Sequence, residues 1–203
     1  MGYFLKANEN ANLDYCKKNG IKVIRRLSGG GAIYTDEGQL VYGLAVQDLL
    51  PVSPVKCFEL VCGALVKALS SLGCKCEFSP VNDVLSNGKK VSGSAIVNKG
   101  RTKLVHGTII VELDRDRMFC ALKVPAAKLR SKGLSNPGER VTSLTEVLGR
   151  VVLMDDVKSA VANAIGDALG ATVKKGHLTS QEKKKVDELV MDRYGTDAWN
   201  FKA

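Results

Sequence analysis

Asn87-Gly88, set between the apolar residues Val84-Leu85 and Val91, constrains the fold more than any other stretch of these 203 residues. Asparagine and glycine both tolerate φ > 0, which a two-residue turn matched to the twist of its strands requires at both central positions, so the dipeptide predicts a tight β-hairpin. A second turn at Asn98-Lys99-Gly100 leads into a strand running from Leu104 to Leu113. Strands joined by turns this short must be antiparallel neighbours, because a parallel pair needs a long crossover. The middle of the chain is therefore expected to be an antiparallel meander.

Periodicity supplies the rest. Gln39 to Val46 alternates, with Leu40, Tyr42, Leu44 and Val46 on one face, as a half-buried strand does. Ser53-Pro54 offers a cap and a first helical position, and Phe58, Val61, Cys62, Leu65, Leu69 and Leu72 then recur at helical steps until Gly73. Asn10 to Asn19 reads as a short helix stopped by Gly20, and Ile21 to Arg26 as a strand. Near the end, Val157, Val161, Ala164, Ile165 and Ala168 mark a helix ahead of Gly170, and Thr179-Ser180-Gln181-Glu182 is a capping box opening another. The expected class is α/β (α+β), with a mixed, largely antiparallel sheet and flanking helices; a doubly wound parallel sheet fits poorly. With no low-complexity linker and no internal repeat, residues 1–203 read as a single domain.

A 45% hydrophobic content with 25% charged residues is that of an ordinary soluble domain. The longest apolar stretches, such as Leu60 to Val66, are broken by Lys67 before they could span a bilayer, and no secretory signal opens the chain, so no membrane and a cytoplasmic location are expected. The six cysteines then read as reduced thiols, and Cys74-Lys75-Cys76 has the wrong spacing for a structural zinc site. Thirty basic against 21 acidic residues leave a net charge of +9, which predicts an acidic partner. Nucleic acid is not favoured, since aromatic residues are only 5% and form no stacking cluster. A solvated basic face around Lys174-Lys175 and Lys183-Lys184-Lys185 is the simpler alternative.

Two segments carry chemistry. Arg25-Arg26-Leu27-Ser28-Gly29-Gly30-Gly31-Ala32-Ile33-Tyr34 runs a basic pair into three glycines. Glycine lets backbone N–H groups converge on one phosphate while arginine adds forked donors, although a glycine triplet alone is often no more than a flexible turn. The loop lacks both the Gly-Lys-Ser/Thr ending of a P-loop and a G-x-G-x-x-G run. The second segment, Gly88-Lys89-Lys90-Val91-Ser92-Gly93-Ser94-Ala95, follows Asn82-Asp83 and precedes His106-Gly107-Thr108. Strict alternation would put Lys90, Ser92 and Ser94 on one face and Lys89, Val91 and Gly93 on the other. An exposed hairpin with charged edges is the alternative reading, and a lone strand histidine such as His106 is more often packed structure than a site residue.

These motifs, in this order, resemble the catalytic domain of lipoate–protein ligases. The likeness continues through Leu122-Lys123-Val124-Pro125, Arg140 to Thr145, and Tyr194 to Asn200. The resemblance implies a fold like that of biotin–protein ligase and the class II synthetases. It also implies a two-step reaction: ATP activates lipoate to lipoyl-AMP, and the lipoyl group then passes to a lysine of an acidic lipoyl domain. By match to the family motif, Lys90 is the essential residue, contacting the lipoate carboxylate and the α-phosphate. Arg26 and the backbone of Gly30, Gly31, Ala32, Ile33 and Tyr34 would hold nucleotide and acyl-adenylate. Asn82 and Asp83 lie where the family places polar contacts near the phosphates and Mg²⁺, Asp83 being the candidate metal ligand, and His106 would line the site. Joining a carboxylate to a phosphate brings two anions together, so fixed positive charge suits this chemistry better than a covalent nucleophile does.

The chain also departs from the family. Thr35 stands where histidine is usual ahead of Asp36, and Leu5 where glutamine or asparagine is usual. The domain is expected to lack its first strand and helix, and to lack a C-terminal accessory domain, as in the split archaeal type in which a separate protein supplies it. Two other readings stay open. One is an octanoyl or lipoyl transferase of the same fold, with a cysteine such as Cys76 as nucleophile; the other is a non-catalytic remnant that binds a lipoyl domain.

Overall fold

The computed structural model describes residues 1–51, 53–123 and 140–202. Val124 and Pro125, part of the family resemblance, lie outside the described residues. The chain divides into two compact units, one of residues 1–34, 116–123 and 174–202, the other of residues 35–115 and 140–173.

The second unit is built on a five-stranded sheet of β1 (Gln39–Gln47), β2 (Glu77–Ser79), β3 (Asp83–Ser86), β4 (Lys89–Lys99) and β5 (Thr102–Ile110), in the order β1-β5-β4-β3-β2. Every pairing is antiparallel. The turn between β3 and β4 has φ of 49° at Asn87 and 73° at Gly88, as the sequence requires, and Gly100 turns β4 into β5 at φ 60°. β5 ends at Ile110, short of the expected Leu113, because the Val111 and Glu112 N–H groups both turn to the carbonyl of Gly38.

Helices α3 (Pro54–Ser71) and α6 (Met154–Leu169) pack together on one face of the sheet. Pro54 at the first turn costs no hydrogen bond, and the eight buried side chains of α3, Leu65 and Leu69 among them, form the stripe its periodicity predicts. The core faces of β1, β3, β4 and β5 meet them with Tyr42, Val84, Val91 and Ile109. Gly170 closes α6 in the left-handed conformation. A short helix, α5 (Leu144–Leu148), opens with a reciprocal capping box between Ser143 and Glu146.

The first unit holds α1 (Ala7–Asn10), α2 (Leu13–Lys18), most of α4 (Arg115–Ala121), α7 (Ser180–Leu189) with its predicted capping box, a π-helical turn (Val190–Tyr194) and α8 (Asp197–Asn200). The strand expected over Ile21 to Arg26 is absent. The segment has no regular secondary structure, and its donors go to scattered partners: Arg26 N–H to the Met1 carbonyl, and Arg25 N–H to the Asn200 side chain. No ladder forms, and Ile24 is left 46% exposed. Among the described residues no helix is long and apolar enough to cross a membrane.

Candidate active site

The expected grouping of Lys90 with Ser92 and Ser94 is wrong, and the reason is a β-bulge. On β3, Val84 pairs with Ser92 while Leu85 pairs with Lys90, so Val91 is an extra residue and the alternation resets there. Val91 and Ser92 are consequently both buried. Ser94 turns to the core, where its hydroxyl meets the Tyr42 phenol at 2.6 Å. A Cβ on Gly107 would run into that phenol and the Gly93 carbonyl, which is why the strand carries glycine there.

Lys90 instead shares the opposite face with Gly93. A Cβ on Gly93 would strike the Lys90 Nζ and Cε atoms, so the missing side chain makes the trough in which the lysine lies. Its ammonium reaches Asp83 Oδ1 at 2.6 Å, from the residue paired with Gly93 on the next strand. The register continues the row through Thr108 to Val41, and the neighbouring row carries Ala95, His106 and Gly43. Lys90, Asp83 and His106 therefore stand on one face over a floor of glycine and alanine. Asn82 serves the scaffold: its backbone carbonyl accepts from Ser94 N–H at 2.9 Å and its amide donates to the Ser94 carbonyl.

The Lys90 side chain is 35% exposed. An ammonium has three donors, so with one directed at Asp83 others remain for an incoming anion. As to metal, no group of three or more His, Cys, Asp or Glu among the described residues could hold an ion, and the carboxylate expected to do so is engaged by Lys90. Among the described residues the donors form no resident metal cage.

The glycine loop belongs to the first unit, and there the basic pair splits. Arg25 is 1% exposed, and its guanidinium donates to the carbonyls of Gly2, Tyr3, Leu5, Trp199, Asn200 and Lys202 at 2.6 to 3.4 Å. It is a structural staple, not the anion ligand the pair suggested. Trp199 Nε1 returns a hydrogen bond to the Arg25 carbonyl at 2.9 Å. Arg26 is half-buried and bends over its own loop, donating to Ser28 Oγ at 3.0 Å and to the Gly29 carbonyl at 2.7 Å. Its Nη1 is buried with no partner. Such a donor is costly to bury unless a ligand meets it. Burial also lowers the guanidinium pKa, but a group that starts so high keeps its charge.

Gly30 has φ of 97°, and a Cβ there would sit 2.9 Å from Arg26 Nη2. A Cβ on Gly31 would meet nothing, so the loop past Gly30 is open. Ala32 is half-buried, Ile33 is exposed and Tyr34 is buried. Arg26 and Gly30 are thus in contact within their unit, while Asp83, Lys90 and His106 share a face in theirs.

Cys76, the candidate nucleophile, is on the wrong side of the sheet. Phe78 pairs with Val84, both facing the core, and Cys76 packs against that same core. The hydrogen bond it shares with Cys74, and then burial, push its thiol up, away from the thiolate a nucleophile needs.

The lipoyl protein ligase A/B catalytic domain model matches residues 1–166. Lipoate-protein ligase A subunit 1 of Thermoplasma acidophilum is 32% identical over 99% of this chain and 79% of its own length. The octanoyltransferase LipM of Kyrpidia tusciae is 26% identical over all of this chain and 82% of its own. Among solved structures, a bi-partite lipoate protein ligase from Thermoplasma acidophilum superposes with a TM-score of 0.88 at 32% identity, covering 99% of this chain and 78% of that one. A lipoate-protein ligase A bound with ATP gives 0.85 at 30% identity, covering 99% and 80%. Sequence and fold together place this chain in the lipoyl protein ligase A/B catalytic-domain family.

Proposed function

We propose that the chain is the catalytic subunit of an ATP-dependent lipoate–protein ligase. The observation that carries this reading is Lys90, held by Asp83 across the bare floor of Gly93 with its side chain partly exposed. In the first step a lipoate carboxylate oxygen bonds to the α-phosphorus of ATP, the bond to the β-phosphate oxygen breaks, and pyrophosphate leaves. Lys90 holds carboxylate and phosphate together and offsets the charge that builds between them, an arrangement worth roughly 10²–10³ in rate for a single well-placed donor. Arg26, through its unpartnered Nη1, and the backbone from Gly30 to Tyr34 bind the nucleotide and the acyl-adenylate. His106 lines the face beside Lys90. Mg²⁺, where it takes part, arrives with the nucleotide phosphates, which supply most of its ligands.

In the second step the amine of an acceptor lysine attacks the acyl carbonyl, the bond to the phosphate oxygen breaks, and AMP leaves as the new amide sheds a proton. The acceptor is an acidic lipoyl domain, matched to the net charge of +9. A separate accessory protein completes the adenylation machinery, as the similarity to a ligase named as subunit 1 and to a bi-partite ligase suggests.

The octanoyltransferase reading is favoured by the similarity to LipM. The cysteines give it little support: four are buried, Cys76 packs against the core, and the exposed Cys120 lies on α4 in the first unit, whereas Lys90 belongs to the second. The test incubates the chain with ATP, lipoate and a lipoyl domain, with and without a candidate accessory protein, and weighs the domain. ATP-dependent lipoylation is expected. ATP-independent transfer from an octanoyl carrier protein, abolished by Cys76→Ser, would establish the alternative.

A further inference from the structure

Lys90 sits where β4 has already left β5. The last pair between those strands is Ser92 with Ile109, so at Lys90 the backbone keeps Leu85 of β3 on one side and takes Val141 on the other, in a parallel bridge. The Thr142 N–H donates to the Lys90 carbonyl at 3.0 Å. That added segment is itself fastened. Glu146 Oε2 accepts from the Thr142 hydroxyl at 2.8 Å, from Ser143 N–H at 3.3 Å and from Arg115 Nη2 at 2.5 Å. Arg115 Nη1 donates to the Val141 carbonyl at 3.1 Å.

We propose that Arg115, acting with Glu146, is a positioning residue for Lys90, and that this pair sets the geometry of the adenylation step; the inference rests on the ligase reading. A bulge leaves a strand free to bend at the residue beside it. Lys90 adjoins the bulge at Val91 and has no β5 partner, so the direction of its side chain depends on what holds its carbonyl. Arg115 and Glu146 close that gap by presenting the Thr142 N–H at a fixed height. The two side chains are 33% and 40% exposed, and a pair this open stabilises little through charge alone. What it contributes is direction: it binds a carbonyl and a carboxylate at once, with the forked geometry only arginine has.

The test measures lipoate-dependent pyrophosphate release by the full chain with its accessory partner, together with amide hydrogen exchange. Arg115→Met should lower kcat roughly tenfold to a hundredfold, the range for a small misplacement of a reacting group, with KM for ATP and lipoate changed less than about twofold. Glu146→Gln, which keeps an oxygen to accept from Thr142 and Arg115, should retain more of kcat than Glu146→Ala. Arg101→Met, which breaks the exposed pair with Asp48, should leave kcat unchanged. In Arg115→Met the Thr142 amide should exchange faster while Val105, deep in the sheet, stays protected. Parent kcat in Arg115→Met, or a fall in kcat that comes with lost protection throughout the sheet, would overturn the proposal. A parent with no pyrophosphate release would overturn the ligase reading itself; an active parent inactivated by Lys90→Ala but indifferent to Arg115→Met would overturn only the positioning role.

Discussion

The two candidate halves of the chemistry are held by opposite means. The Lys90 face stands on ladder-paired strands, where backbone hydrogen bonds set the register and most side chains are free to vary. The glycine loop has no ladder, and the six carbonyls gathered by one guanidinium, Arg25, do the equivalent work. A backbone-built site spreads its stability over many residues. A side-chain-built loop concentrates it in one, and the two should respond to mutation accordingly.

The largest effect is expected at Arg25. Arg25→Met leaves buried carbonyls without donors, and by analogy with broken buried ionic networks it should cost about 3–5 kcal/mol of stability, read by denaturant unfolding. An exposed-site cost below about 1 kcal/mol would mean that the loop is held some other way. Lys90→Ala on the ladder-held face should do the reverse. It should leave the unfolding midpoint nearly unchanged and reduce lipoyl transfer by roughly 10²–10³, measured as initial rates.

Much of the second unit was legible in the sequence because its signals are local. Asn87-Gly88 is the turn it appears to be, the apolar steps of α3 and α6 form their buried stripes, and Gly170 closes its helix. What was not legible depends on distant partners. A period-two count cannot foresee the bulge at Val91, so it groups Lys90 with Ser92 and Ser94, and it does not show that the Ser143–Glu146 capping box fastens the segment that bridges Lys90. Arg25 and Arg26 look equivalent side by side; carbonyls 20 to 23 positions before Arg25 and 174 to 177 after it make that one a staple, while Arg26 keeps a donor to spare. The same pairing with distant residues is why 21–26 joins no strand ladder.

Gly93→Ala tests whether the lysine trough is needed. The new methyl strikes the flexible end of Lys90 and no backbone, so stability should fall little while kcat drops roughly tenfold or more through misplacement of the ammonium. An equal loss in Gly31→Ala, where a methyl meets open space, would remove the distinction between the two regions. The smallest effect is expected at Cys76→Ser. It swaps a half-buried thiol packed against the core for a hydroxyl of similar size, and transfer should stay within about twofold of the parent, since the side chain lies on the sheet face opposite Lys90.

The proposed role of Lys90 in adenylation can be read in a single assay: pyrophosphate released from ATP in the presence and absence of lipoate, by the parent and by Lys90→Ala, each with the accessory partner. Release that requires lipoate and vanishes in the Lys90→Ala protein is the result predicted. Release that survives the substitution, or lipoyl-domain modification that proceeds without ATP, would contradict it.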